Sequence, residues 1–515
     1  MSNSEIATAT GNAKRGLITI SVMLATIMQA LDTTIANVAL PHMQGSMSAT
    51  QDQISWVLTS YIVAAAIFLP LTGFLADKFG RKRLFVWSVV GFTIASMLCG
   101  AAQNLPQIVF FRLLQGVFGA ALVPLSQSIL LDSYPREKHG SAMAMWGMGV
   151  MLGPILGPTL GGWLTEYYSW RWVFYINLPF GILALVGILS SIKETELKPE
   201  RKFDLLGFAF LSLGIGALQM MLDRGETLDW FNNREIIIEC GLLCLGFYWF
   251  IAHIFTHKNP FIEPAIFKDR NFSVGMVFMF IVGIILLATM ALLPPFLQSL
   301  MGYPVIDVGL VMAPRGVGVM LAMMLVGKLS GKIDPRQQIF FGLMLTAISL
   351  LEMARFTTEI TSWDIIRTSV VQGIGLGFIF VPLSTVTFST LDARFRNEGT
   401  ALFSLTRNIG SSIGISVVIA QLQQNIQKNH AAFADYITPY NQALAKVGES
   451  GYWNIHTTQG LVAINGEVQR QAATLAYLQD FYLMMWITLA ALPLLFLMRS
   501  PKKQLKAENP VAALE

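Results

Sequence analysis

The chain has 515 residues, 54% of them hydrophobic and only 13% charged, where a globular protein carries roughly 25% charged residues. With a mean hydropathy of +0.57, that balance excludes a soluble domain and fits a chain that crosses a membrane many times. The net charge of +4 is small, so where the cations sit matters more than their sum. The three cysteines, Cys99, Cys240 and Cys244, lie in apolar runs, with neither a disulfide framework nor metal-ligand spacing.

A polar start, 1–16, carries Lys14 and Arg15 ahead of an apolar run too long for a signal peptide, so an uncleaved first helix is expected. Apolar runs bounded by charge or turn residues predict fourteen spans. They lie near 17–40, 54–75, 84–103, 106–128, 140–164 and 170–192, then a pair near 204–222 and 235–256. Six more follow near 272–298, 304–327, 338–356, 363–388, 399–424 and 477–498. Lys78, Arg81, Lys82, Arg83, Arg136 and Lys138 fall on one side, as do Lys198, Arg201, Lys328, Arg336, Arg394, Arg396 and the tail from Arg499. The opposite short connections, such as Pro41–Ile54, carry no Lys or Arg. That asymmetry places both termini in the cytoplasm.

The first run contains one charge, Asp32. A carboxylate inside a spanning helix costs roughly 2.5–3.5 kcal/mol on insertion scales. Asp32 precedes Pro41 by nine residues, which puts it roughly 13 Å below that end of the helix. A short Asp side chain cannot reach the headgroups from there. A group so placed faces water, pairs with a cation or takes up a proton. Arg112 lies six residues in from Pro106, about 9 Å deep, close enough in depth to pair with Asp32. Its long side chain is also able to snorkel outward instead. Asn37, Gln115, Arg315 and Arg407 are further polar residues within spans and candidates for a substrate cavity. Glu239 and Glu352 also fall in apolar runs and rank below Asp32.

Two stretches repeat in register. Gln115-Gly116 leads to Val123-Pro124-Leu125-Ser126, and Gln372-Gly373 leads to Val381-Pro382-Leu383-Ser384. Such parallel repeats build two-bundle transporters with the binding site between the bundles. The expected division is a tail at 1–16, a six-helix bundle at 17–192, an extra helix pair at 193–271, a second bundle at 272–498 and a tail at 499–515. Within the second bundle, 424–475 is the only long external segment. It is rich in Gln, Asn and Ala with Tyr436, Tyr440, Tyr452 and Trp453 interspersed, and 421–434 is able to extend the thirteenth helix outward. A solvated loop and a docking surface are both open readings.

Gly73-Phe74-Leu75-Ala76-Asp77-Lys78-Phe79-Gly80-Arg81-Lys82-Arg83 reads as a tight basic turn, with glycines for the reversal. It resembles the signature of the major facilitator superfamily, with Lys78 a mild departure. The resemblance implies that Asp77 and Arg81 latch two bundles together, with Gly73, Gly80 and Arg83 shaping the turn. Phe111 to Gly119 is similar to that family's fourth-helix motif, which implies a proton-coupling role for Arg112. Gly149, Gly153, Gly157 and Gly161 line one face of the fifth helix, with Pro154 and Pro158 between them; the pattern resembles the antiporter motif of drug:proton exporters.

With the stretches Leu31–Pro41, Trp170–Pro179 and Leu222–Phe231 and the extra central pair, the chain resembles the EmrB/QacA drug:proton antiporters, closest to the EmrB type. The resemblance implies an all-α integral membrane protein of major facilitator fold, with two six-helix bundles and a central pair of extra helices. It implies a proton-driven pump in the inner membrane that exports hydrophobic, neutral or weakly acidic toxic compounds and confers antibiotic resistance. A periplasmic membrane fusion protein (EmrA-like) and an outer-membrane channel (TolC-like) would be its partners. Some cation-exporting relatives carry an acid in the tenth helix, where this chain reads Ala313-Pro314-Arg315-Gly316; with Arg315 and Arg407 within spans and Asp32 the clearest buried acid, dicationic substrates are not expected. No cofactor beyond the proton gradient and no nucleic acid are expected. His253 and His257, four apart, lack a Glu between them, so neither a metal site nor a membrane-embedded enzyme is favoured. A dedicated metabolite exporter or a proton:solute symporter of the same fold is the alternative.

Overall fold

The computed structural model describes residues 3–135, 138–195, 197, 202–438, 440, 441, 453–455 and 457–499. Of the residues singled out above, Arg136, Lys198, Arg201, Tyr452 and the tail beyond Arg499 lie outside them. Among the described residues the chain is helical, without a strand. The helices are α1 (Asn3–Met47), α2 (Gln51–Phe68), α3 (Leu71–Phe79), α4 (Arg81–Ala101), α5 (Leu105–Gly119), α6 (Leu122–Ser133), α7 (His139–Tyr167), α8 (Trp172–Tyr175) and α9 (Asn177–Ser191). Then come α10 (Leu205–Arg224), α11 (Arg234–Thr256), α12 (Arg270–Pro295), α13 (Val305–Leu329), α14 (Pro335–Met353), α15 (Ser362–Ser389), α16 (Arg396–Ala434) and α17 (Thr458–Ala490).

Their ends follow local chemistry. Capping boxes at Thr50 and Thr361 start α2 and α15, and Asn104 caps α5 ahead of Pro106. The α2–α3 pair bends by 57° at Leu69-Pro70. Counting that pair as one, thirteen of the fourteen expected spans are apolar and long enough to cross a membrane. The fourteenth is α14, 19 residues long and about 28 Å, but diluted by Arg336, Gln337, Gln338 and Glu352.

Two sets of helices pack separately. In the first, α1 lies against α7, α9 and α6, while α5 lies against α2 and α4; in the second, α15 lies against α13 and α14, and α16 against α12 and α17. The sets meet along α7 and α13, and again where α16 begins, against α3 and α6. That second junction lies at the end of the molecule bearing the 73–83 turn, Lys328, Lys332, Arg394 and Arg396, the basic face. The extra helix α10 touches both sets: the Thr59 hydroxyl donates to Asp223, and Ser412 donates to Gln219 at 3.0 Å.

Asp204 caps α10 and ties down the chain leaving α11. It accepts from the Gly207 and Phe261 amides at 2.9 and 3.0 Å and bonds His253 at 2.9 Å. Burial works against its charge, but those hydrogen bonds outweigh it and hold the carboxyl below its ordinary range. His257 stacks on His253 with ring centroids 4.7 Å apart, so the two histidines and Asp204 form one cluster in which the capping bonds already use the carboxylate.

Candidate functional site

Asp32 and Arg112 meet in the interior of the first set. Arg112 Nη1 donates to Asp32 Oδ2 at 2.7 Å, and the two side chains are 1% and 0% exposed. The other carboxylate oxygen, Oδ1, accepts from Gln115 Nε2 at 2.8 Å and from Asn177 Nδ2 at 2.9 Å. The guanidinium is occupied in turn. Its Nε donates to the Val57 carbonyl at 3.0 Å, Nη1 also reaches Gln115 Oε1 at 2.8 Å, and the Tyr61 ring lies 4.2 Å from Cζ. Asn177 is held by Ser96 Oγ at 2.9 Å, and Ser96 by the Phe174 carbonyl at 2.8 Å. Three donors on one carboxylate satisfy an ionised Asp32, the condition under which a buried pair is tolerated. Uptake of one proton removes the charge that organises all three donors. The site joins α1, α5 and α9 through one carboxylate.

Of the candidate residues, Gln115 belongs to this network, and Asn37 does not: it is exposed on α1. Asn177, Tyr61 and Cys99, whose thiol sits 3.6 Å from Gln115 Oε1, escaped the sequence reading. For Asn177 a signal was present, an amide inside an apolar run, in a stretch read only for its family likeness.

The glycine face of α7 packs on the helix that carries Asp32. A Cβ at Gly149 would press on Met23, one at Gly153 on the Ala30 backbone, one at Gly157 on the Thr34 hydroxyl and one at Gly161 on Ile35. The Thr34 hydroxyl donates to the Gly153 carbonyl at 3.1 Å. Pro154 and Pro158 lie in the same unbroken helix. The opposite side of α7 presses Ile155 against Gly316 of α13. Residues 153–157 are thus wedged between Asp32's turn of α1 and Arg315's turn of α13.

Arg315 is 4% exposed; its Nη2 contacts the Leu286 carbonyl at 3.4 Å, and its Nη1 has no partner among the described residues. Arg407 is half-buried on α16, its backbone carbonyl packed over Gly283 of α12. Gly283 and Leu286 are one helical turn apart, so the two guanidinium-bearing residues converge on the same level of the second set. Neither has an acid partner among the described residues. Glu352 pairs with Arg367 at 3.5 Å near the far face, and Glu239 is buried on α11, away from both networks.

At the basic face the sets are pinned together. Asn397 of α16 donates to Asp77 Oδ1 at 2.8 Å and accepts from Ser128 at 2.8 Å. Arg81 and Arg396 both bind Asp132, at the end of α6, so Asp132 joins the two sets through one carboxylate. Gly73 is needed for close approach, since a Cβ there would lie 2.9 Å from the Glu398 Cα. Gly80 adopts φ +90°, which favours glycine, and Glu194 caps the turn from the Lys82 and Arg83 amides at 3.1 Å. Arg81 therefore reaches the second set through Asp132, a residue the sequence reading passed over.

Asp132→Asn is expected to loosen this latch. Two partly exposed ion pairs at about 0.5 kcal/mol each give roughly a fivefold shift toward an open basic face, read as spin-label distances between α3 and the start of α16. Changed substrate affinity with unchanged distances would remove the latch role.

A family model described as Major Facilitator Superfamily matches residues 22–415. The chain belongs to that superfamily. It is therefore a membrane transporter, not an enzyme. Among its relatives, the "Multidrug export protein EmrB" of Escherichia coli (strain K12) is 37% identical over 432 residues, covering 82% of this chain and 83% of the relative. The "Fatty acid resistance protein FarB" of Neisseria gonorrhoeae is 37% identical over 491 residues, 94% of this chain and 96% of the relative. The crystal structure of the human organic anion transporter MFSD10 (TETRAN) superposes with a TM-score of 0.58 at 13% identity, over 93% of this chain and 99% of that one, a likeness of fold.

Proposed function

We propose that this member of the superfamily is a proton-driven antiporter that exports hydrophobic, neutral or weakly acidic toxic compounds across a bacterial inner membrane, with the basic face and both termini in the cytoplasm. The observation that carries the reading is the buried Asp32–Arg112–Gln115–Asn177 network, an acid poised to exchange its cation for a proton. The names of its relatives, multidrug export for one and fatty acid resistance for another, support the substrate range.

The basic face is sealed, so substrate leaves on the far side in this conformation. A proton arriving at Asp32 neutralises the carboxylate and frees Arg112, Gln115 and Asn177 to change partners. The turn of α1 bearing Asp32 then repacks on the glycine face of α7. Rigid contact passes that shift through Ile155 to Gly316 and its neighbour Arg315. Opening the basic face lets the proton leave to the cytoplasm and substrate enter. The two guanidinium groups without acid partners favour a neutral or anionic head and repel a dication. Passage onward across the outer membrane is then completed by an EmrA-like fusion protein and a TolC-like channel docked on the hairpin of α16 and α17.

Proteoliposomes with an imposed pH gradient test the reading. A neutral hydrophobic dye and a long-chain fatty acid are expected to move against the proton flow, a dicationic dye to be ignored, and a protonophore to stop transport. Movement with the proton would establish symport, and transport indifferent to the protonophore would end the proton-driven reading.

A further inference from the structure

One carboxyl outside this network has both oxygens buried without a partner among the described residues. Asp480, on α17, is 0% exposed, and neither Oδ1 nor Oδ2 has a hydrogen-bond partner among the described residues. Its neighbours on α17 are aromatic: the Tyr477 and Phe481 rings both meet Phe296, at 5.5 and 6.4 Å, and Phe296 stacks on Phe356 at 6.3 Å. Phe296 opens a π-helical turn, Phe296–Leu300, at the end of α12. It lies 25 residues beyond Asn271, the residue that bonds Arg499 at the basic face, so the cluster is about 37 Å away at the far end of the second set.

The charged groups on the packed helices do not reach it. Near its level, Glu352 of α14 pairs with Arg367, Lys428 of α16 lines an outer groove, and His430 bonds Asn465. Arg270, Arg336, Arg396 and Glu398 sit at the basic ends of α12, α14 and α16, and Arg407 lies in the first third of α16, toward the same end. The α12 π turn and the 3-10 turn Leu492–Leu497 carry no charge.

An ionised carboxylate here would be buried with neither cation nor donor, a far larger cost than burying the neutral acid. Asp32, with three donors, is in the opposite condition in the same conformation. We infer that Asp480 is a second proton-binding carboxyl of the transport cycle, loaded while the basic face is sealed. The proton leaves when the π turn of α12 and the facing turn of α17 separate; such turns often mark functional sites in helices. This rests on the proton-driven reading above for its role, though not for its protonation.

Infrared titration of the full-length protein in lipid nanodiscs decides the protonation. A protonated-carboxyl band is expected at neutral pH, lost in Asp480→Asn and shifted in frequency in Asp480→Glu. Its absence from the native protein would overturn the inference. Reversal potentials in proteoliposomes decide the role: Asp480→Asn should keep substrate binding and lose one proton per substrate, with Asp480→Glu restoring it. An unchanged stoichiometry and pH profile would leave Asp480 a packing residue and sink the inference. If Asp480→Asn does not fold, the native and Asp480→Glu bands still distinguish a protonated carboxyl from an ionised one. If the native protein transports without proton coupling, the proposed function fails, while the infrared band independently reports whether Asp480 holds a proton.

Discussion

Asp32→Asn is expected to reduce proton-driven efflux to background while the protein still inserts and still binds substrate. The amide keeps the size of the carboxyl and an oxygen that accepts from Arg112, so the packing of α1, α5 and α9 survives. What it removes is the titratable group and the charge that Arg112, Gln115 and Asn177 converge on. Arg112→Ala should behave differently. It strips the cation from a buried carboxylate, a change that costs about 3–5 kcal/mol, so loss of folded protein accompanies loss of transport. The double variant Asp32→Asn/Arg112→Ala relieves that penalty, and its recovery of stability without activity would separate the two effects. Gradient-driven efflux by Asp32→Asn at the native rate would remove Asp32 from the coupling step.

Depth along a helix makes the central pair legible. Asp32 and Arg112 are each located by distance from a turn, and the membrane's thickness forces groups at one depth to find each other. The antiparallel course of the spans and the glycine face of α7 are readable for the same reason, since helical spacing alone fixes which residues share a side. Asp132 is not legible because it falls just past the expected end of its span, where acids are ordinary, and its meaning comes from Arg396, which lies 264 positions away. Asp480 is hidden differently. It sits three residues inside the expected edge of the last span, where a charge reads as a boundary residue. The helix instead runs back to Thr458, and Phe296 and Phe356, just past the ends of α12 and α14, stack near that edge. Asn37, polar at a suitable depth, shows the limit of the method: depth does not say which way a side chain faces.

Replacing residues 424–475 by a short linker is expected to abolish drug resistance in a host with two membranes and to leave proton-coupled transport in liposomes intact. The sealing junctions lie elsewhere, along α7 and α13 and at Asp132, so the cycle does not need the segment. Its form is that of a projecting stem. At 39 residues, α16 is about 58 Å long, roughly twice what the hydrocarbon core requires. The helix therefore continues outward to Ala434, as its sequence allowed, and the first part of α17 runs back alongside it. Asn429 bonds the Ala472 carbonyl at 3.3 Å and His430 bonds Asn465 at 3.0 Å, fixing the register of the two. Near the tip, Tyr436 and Tyr440 are 71% and 92% exposed, the kind of rigid amphipathic anchors that dominate protein interfaces. A helical stem with exposed tyrosines suits pairing with the helices of an adaptor, whereas a plain spacer would need neither the stem nor the rings. Truncating only the tip, with the Asn429–Ala472 pairing kept, should give the same whole-cell loss. That arm assigns the effect to the docking surface and not to a disturbed α17. Full resistance in cells carrying either truncation would make the hairpin a spacer.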